Sequence, residues 1–208
     1  MLSAQSCELF NQPFFQFAQI KKFQPQRLQS LKQEYQQAWQ QWKALIQQVS
    51  AQLGTPFAKP HIESWTNGWQ VRSHFFAFFK YEYYQHSATI LSVILNRRRL
   101  QVCLDWHSYR ANRSQFTLEQ YNQWLEQLDY QQYGDFEIWR GDDSEYNDFP
   151  LVSSLSPQQL PLEQAQDFYC IGKNCEKAQL DHIDSQQFIC QTIRQLLPLY
   201  EKCHQSPL

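Results

Sequence analysis

Between residues 25 and 53 the apolar side chains fall at alternating steps of three and four: Leu28, Leu31, Tyr35, Ala38, Trp42, Leu45 and Val49. That spacing stacks them on one face of a helix. Trp39 and Ile46 widen the stripe to the breadth of a helix that packs on a globular core. Pro25 suits the first turn, and Gly54 followed by Pro56 supplies the stop. Upstream, Phe10, Phe14, Phe15, Phe17, Ile20 and Phe23 predict an aromatic arm over residues 1–24, irregular or in short helix, tucked against the core.

Beyond the helix the pattern changes to that of a sheet. A strand is predicted from about Val71 to Tyr83, rich in Phe and Tyr, and another from Thr89 to Leu95, rich in β-branched residues. A third, Leu100–Trp106, alternates. Leu100, Val102, Leu104 and Trp106 point one way, and Gln101, Cys103, Asp105 and His107 point the other. Arg97–Arg99 then make the turn of an antiparallel hairpin. Thr117 and Gln120 form a capping box for a helix whose buried face is Leu118, Tyr121, Leu125 and Leu128, with Phe116 placed to staple to Tyr121. Phe136–Trp139 reads as a short strand, Gly141–Pro150 as an acidic loop, Ser156-Pro157 as the start of a short helix, and Asp167–Ile171 as a last strand. Asp184 and Gln187 open a final helix that buries Ile189, Ile193, Leu196 and Tyr200, and Pro198 is expected to bend or end it.

These elements predict an α+β fold: one domain over residues 1–208, with a mostly antiparallel sheet and the helices at 25–53 and 185–200 packed on one face. The other face carries Asp105 and His107, is rimmed by arginines, and becomes the candidate site.

Composition narrows the picture. A chain of 208 residues suits one compact domain, and 42% apolar residues suffice for its core. Aromatic residues reach 16%, so that core is built on rings. A net charge of −2 gives no global field toward nucleic acid or membrane, and any such attraction must be local. The charge is uneven. Arg97, Arg98, Arg99, Arg110 and Arg113 oppose only Asp105 in their stretch, while Asp135, Glu137, Asp142, Asp143, Glu145 and Asp148 oppose only Arg140 in theirs. The plain reading is two solvated loops of opposite sign. The frequent glutamines, such as Gln33, Gln36, Gln37, Gln40 and Gln41, are neutral water-facing helix residues. The start has no signal-peptide pattern, and no apolar run reaches the roughly 18 residues that a spanning helix needs. Six cysteines without a signal point to reduced thiols and a cytoplasmic protein.

The candidate chemistry is sparse. Asp105 and His107, two apart on one strand, could place a carboxylate beside an imidazole for general-base catalysis in a small hydrolase or nuclease, though no nucleophile is visible. Cys170, Cys175 and His182, with Cys190 or Cys203, lack the tight paired spacing of structural zinc, so no metal is assigned. Gly54, Gly68, Gly134, Gly141 and Gly172 are too scattered for a dinucleotide or phosphate loop, and no Gly-x-Ser-x-Gly elbow occurs, so no cofactor is assigned. What remains is binding. Arg97, Arg98, Arg99, Arg110 and Arg113 could meet phosphates while Trp69, Tyr109 or Trp106 stack on a base. A nucleic acid or nucleotide is therefore the leading ligand, with an adaptor that docks a protein on its N-terminal aromatics as a further alternative.

Two resemblances accompany this reading. The stretch Trp69-Gln-Val-Arg-Ser-His-Phe-Phe-Ala-Phe-Phe-Lys, with Leu104-Asp-Trp-His-Ser-Tyr-Arg110, Phe136-Glu-Ile-Trp139 and the opening Ser6-Cys-Glu-Leu-Phe-Asn-Gln-Pro-Phe-Phe-Gln-Phe17, resembles a small family of uncharacterised bacterial proteins of about this length. Members have carried the label glucose-6-phosphate 1-dehydrogenase, which implies a cofactor turn that these residues do not contain. The order of elements from Gly68-Trp69 through Leu104-Asp105-Trp106 to Leu199-Tyr200 is similar to the N-terminal DNA-recognition domain of methylcytosine-dependent restriction systems. That likeness implies binding of modified DNA with the base taken out of the stack, in an aromatic pocket beside basic loops.

Overall fold

In the computed structural model, which describes residues 2–205, the aromatic arm folds as two short helices, α1 (Ala4–Glu8) and α2 (Phe17–Phe23). Phe10 lies between them. It is buried and stands edge-on to Tyr35 and Phe75, so this part of the arm is core. A 3-10 turn at Pro25–Arg27 leads into α3 (Leu28–Leu53). Leu31, Tyr35, Trp42, Leu45, Ile46 and Val49 are buried there, as the spacing requires, while Leu28 and Ala38 at the margin of the stripe are half-buried. Gly54 ends the helix at φ 65°, a conformation open to glycine at no steric cost.

Six strands make one sheet: β1 (His61–Ile62), β2 (His74–Phe79), β3 (Thr89–Asn96), β4 (Arg99–Trp106), β5 (Glu137–Arg140) and β6 (Tyr169–Glu176), in the spatial order β1-β2-β3-β4-β6-β5. Every pairing is antiparallel. Helices α3, α4 (Leu118–Glu126) and α5 (Ser185–Lys202) supply the rest of the fold. The inner face of the sheet, with Phe75, Ala77, Leu91, Val93, Leu95, Leu100, Val102, Leu104, Trp106 and Ile171, joins the buried side chains of α3 and α5 in one core that extends from Leu2 to Cys203.

Several boundaries differ from the sequence reading. β2 is shorter than Val71–Tyr83, because Tyr83 belongs to a 3-10 turn at Glu82–Tyr84. β6 is longer than Asp167–Ile171. Its polar residues Lys173 and Asn174 suggest a loop, yet the strand pairs with β4 as far as Arg99↔Glu176. Helix α5 runs through Pro198 to Lys202 instead of stopping there. The lost hydrogen bond is outweighed by a long buried face of Ile189, Ile193, Leu196, Leu199 and Tyr200. β1, the six-residue 3-10 segment Lys177–His182 and the buried Trp124 of α4 had no clear sequence signal.

The caps were legible. Thr117 accepts from the Gln120 backbone N–H at 3.1 Å and the Gln120 side chain accepts from the Thr117 N–H at 2.8 Å. The Asp184 carboxylate accepts from the N–H groups of Gln186 and Gln187. Phe116, placed by sequence against Tyr121, packs edge-on to Tyr84 and His204.

The end of α5 closes on the β2–β3 connection. His204 lies flat on Tyr84, with ring centres 3.8 Å apart and planes 4° from parallel. Its Nδ1 is 2.8 Å from the Tyr200 carbonyl and its Nε2 is 2.9 Å from Ser87 Oγ. A carbonyl only accepts, so Nδ1–H donates to Tyr200 and Nε2 accepts from the Ser87 hydroxyl. Burial holds this imidazole down to about 4. No helix among the described residues is long and apolar enough to cross a membrane.

Candidate binding face

Strand alternation builds the outer face of the sheet in rows. The register aligns His74, Asn96, Arg99 and Glu176 in one row, Phe76, Ile94, Gln101 and Asn174 in the next, and His61, Phe78, Ser92, Cys103 and Gly172 in a third. Asp105 and His107 follow on the same side as Cys103, beyond that third row, as β4 predicts. The two ends of this face are chemically different.

At the hairpin end Arg98 and Arg99 are engaged by the acidic loop and by Glu176. Arg98 pairs with Asp148 and with Glu176 (3.2 Å) and donates to the Tyr146 carbonyl at 2.5 Å. Arg99 is 1% exposed. It meets Glu176 at 3.3 Å, donates to the carbonyls of Glu145 (3.2 Å) and Asn147, and lies over the Phe149 ring. Burial, and then the charge of Arg98, pulls the Arg99 guanidinium below its usual value. Glu145 turns inward to His74 (3.1 Å) and Asn96 (3.3 Å). Burial works to raise its carboxyl, but hydrogen bonds and the charge of His74 hold it below the ordinary value. The predicted pair of separate solvated loops is thus one interlocked structure. Arg97 is exposed, 4.5 Å from the Tyr146 ring centre. With Arg98 and Lys177 it lines a groove of about 640 Å³, where Glu8 and Glu176 offset the charge.

The middle of the face is sealed by rings. Trp139 stacks on Phe149 at 4.4 Å over Cys103 and Cys170. Ser92 Oγ is 3.0 Å from Cys103 Sγ, and the Cys170 thiol donates to Asp105 Oδ1 at 3.3 Å. Burial raises the Asp105 carboxyl. Gly172 is required here, because a Cβ would stand 2.2 Å from the Val102 carbonyl oxygen and 2.5 Å from Cys103 Cβ. All six cysteines are free and buried.

The opposite end, the open end of the face, is only partly uncovered: Phe78 and Lys80 are buried, Phe76 and His107 half-buried, and His61, Tyr109 and Arg110 exposed. His61 is exposed and stacks on Phe78 at 4.7 Å. His107 is half-buried, with its ring 5.5 Å from Phe78, 6.2 Å from Phe76 and 6.2 Å from Tyr109. Tyr109 is 92% exposed. The Lys80 ammonium sits 5.3 Å from the Phe78 ring centre and donates to the carbonyls of Gln85 and Ser87. Burial, with Arg110 nearby, lowers Lys80 to about 8. His107 is lowered to about 4 by burial and then by the charges of Arg110, Lys80 and His61. Its Nδ1 is buried without a hydrogen-bond partner. The carboxylate that reaches His61 is Glu63, which is paired with Arg72 at 2.8 Å.

The sequence-derived residues therefore separate. Asp105 and His107 share the outer face, but no hydrogen bond or ion pair within 4 Å joins them: Asp105 holds Cys170, and the charged neighbours of His107 are cationic. Arg110 and Arg113 are exposed on the 3-10 segment Ser108–Arg113, next to Tyr109. Trp69 is 56% exposed beside the N-terminal arm, where its carbonyl accepts from the Phe17 N–H at 3.0 Å. Trp106 is core. Cys170 and Cys175 fall on opposite faces of β6, and the described residues contain no cluster of three His, Cys, Asp or Glu placed to hold a metal. Sequence reasoning missed His61, Phe76, Phe78 and Lys80. The signal was present in β2, where Phe76, Phe78 and Lys80 alternate onto the face of Asp105, but an unbroken apolar run conceals which face is open.

A protein-family model matches residues 2–203. An uncharacterized protein of Haemophilus influenzae is 64% identical over 204 residues, covering 98% of this chain and 99% of the relative.

Proposed function

The chain belongs to the family whose model spans residues 2–203, and we propose that it is a binding module for an anionic ligand that carries a planar ring, a nucleotide or nucleic acid being the leading class. One observation carries this reading. At the open end of the outer face the exposed rings of His61 and Tyr109 and the half-buried Phe76 and His107 lie over the buried Phe78 and Lys80, with Arg110 exposed nearby, and the acidic loop that neutralises Arg98 and Arg99 is at the other end. Rings supply stacking surfaces, and the exposed Arg110 attracts phosphate. The likeness of element order to a DNA-recognition domain supports the ligand class by fold analogy alone. The dehydrogenase label gains no support, since Gly141 and Gly172 serve packing against Phe168 and Cys103.

The test is binding of short single- and double-stranded oligonucleotides and of free nucleotides across a salt series. Affinity should fall as salt rises, because phosphate contacts release counterions. Arg110→Gln should weaken binding, whereas Arg97→Gln should not. No binding at low salt, or indifference to Arg110, rejects the reading.

A further inference from the structure

We propose that the corner formed by α2 and the turn at Trp69 docks on the surface of a lipid bilayer that carries anionic headgroups. This corner shares no residue with the open end of the sheet face.

The local charge is the first ground. Between Glu8 and Glu34 the chain holds Lys21, Lys22, Arg27 and Lys32 and no carboxylate. Arg27 is paired with Glu34 at 2.9 Å. Lys21, Lys22 and Lys32 form no ion pair among the described residues, and Lys21 and Lys22 are exposed. The net charge of the chain is only −2 and of the opposite sign. Attraction to an anionic surface therefore acts on this corner and orients the molecule by it.

The rings are the second ground. Gln16 pairs with Gln70 in an antiparallel bridge, and the Phe17 N–H donates to the Trp69 carbonyl at 3.0 Å. That pairing sets Trp69 across from Phe17, at the first turn of α2. At the last turn Phe23 stacks on Phe14, with ring centres 5.1 Å apart and planes 20° from parallel. A helix of seven residues spans about 10 Å, so Phe23 and Trp69 bracket one small patch. Phe23 is 55% exposed and Trp69 is 56% exposed. The Lys22 ammonium stands 5.0 Å from the Phe23 ring centre, and that of Lys32 stands 4.7 Å from the Phe17 ring centre. Exposed rings with lysines folded along them suit the bilayer boundary, where rings enter the headgroup region and ammonium groups stay with the phosphates. Two other partners fit less well. A nucleic-acid strand stacks its bases on ring faces, and cations already stand over Phe17 and Phe23. A second copy in a two-fold dimer would bring the lysines of one chain toward those of the other, where like charge repels.

Flotation of the whole protein with lipid vesicles tests this. One set of vesicles is phosphatidylcholine alone, and the other is two parts phosphatidylcholine to one part phosphatidylglycerol. The protein should float with the mixed vesicles, stay behind with phosphatidylcholine alone, and be released as added salt screens the headgroups. Lys21→Gln and Lys22→Gln should each weaken partitioning about fivefold, and Phe23→Ser about tenfold. All three positions are exposed, so the urea midpoint should hardly move. Arg110→Gln should partition like the parent chain. Equal flotation with both kinds of vesicle, no flotation with the mixed ones, or flotation indifferent to Lys21→Gln, Lys22→Gln and Phe23→Ser overturns the proposal. In the absence of vesicle binding, a hexathymidylate held through Lys21, Lys22 and Phe23 assigns the corner to nucleic acid, and self-association lost in Phe23→Ser assigns it to a second copy; both overturn the proposal. Nucleotide binding that depends on Arg110 stands or falls on its own titration, whichever way the vesicles decide.

Discussion

The two ends of the outer sheet face hold the same residue types and differ in what those residues touch. At the hairpin end Arg98 and Arg99 meet Asp148, Glu176 and loop carbonyls, and the acidic loop is fastened over them. At the far end Lys80 and Arg110 face histidines and rings. A triple arginine is the more conspicuous sequence signal, yet two of its three charges, Arg98 and Arg99, are already balanced within the fold. Capacity for a ligand depends on unbalanced charge, not on the number of basic residues.

The sharpest way to break the contrast is to empty the closed end. Arg99→Met leaves the Glu145 and Asn147 carbonyls without their donor and Glu176 with Arg98 alone, and should destabilise the fold by about 1–3 kcal/mol, read as a lower urea midpoint. Binding at the open end should be unchanged under conditions where the variant is folded. If Arg99→Met is silent in stability, the loop is not fastened as described.

Two histidines sharpen it next. His204 is buried with both nitrogens bonded, and is held down to about 4 against an ordinary 6.5. Between those values the unfolded chain binds more protons, so stability present above pH 6.5 is lost as pH falls toward 4. The loss should be on the order of 2 kcal/mol from this residue. Urea titrations at pH 7 and pH 4.5 measure it, and His204→Gln should shrink the pH-dependent difference. In contrast, His107→Asn should leave stability at pH 7 within about 1 kcal/mol, because Nδ1 has no bond to lose.

Smaller still are changes at the open strip. Phe76→Ala removes a half-buried ring and should cost about 1 kcal/mol of stability, but remove about 1–3 kcal/mol of binding to the oligonucleotides. Arg110→Gln should alter stability by no more than about 0.5 kcal/mol. A large loss of stability in Arg110→Gln would mean that the open end is held together by charge after all.

The sequence carried the elements well and the closure poorly. The three-and-four spacing of Leu31, Tyr35, Trp42, Leu45 and Val49, and the alternation of Leu100 through Trp106, each report a local period, and local periods survive folding. Asp105 and His107 were correctly placed on one side of β4. Their separation was invisible, because Cys170 claims Asp105 from a strand 65 residues away. The fate of Arg99 was equally hidden, for its partners Glu145, Asn147 and Glu176 lie 46, 48 and 77 residues on. Contacts of that range are set by sheet register, which no single strand encodes. Likewise Lys173 and Asn174 argue against a strand by composition and are held in one by β4.

The six unpaired thiols are spread through the molecule: Cys7 in α1, Cys103 in β4, Cys170 and Cys175 in β6, Cys190 in α5 and Cys203 just past its end. Withdrawal from water raises each of them, so none is a ready nucleophile while the layers stay together. The protein thus carries its own recording tape of opening events. An alkylating reagent marks only chains that have come apart, and the order in which positions 7, 103, 170, 175, 190 and 203 are marked reads out which layer lifts first.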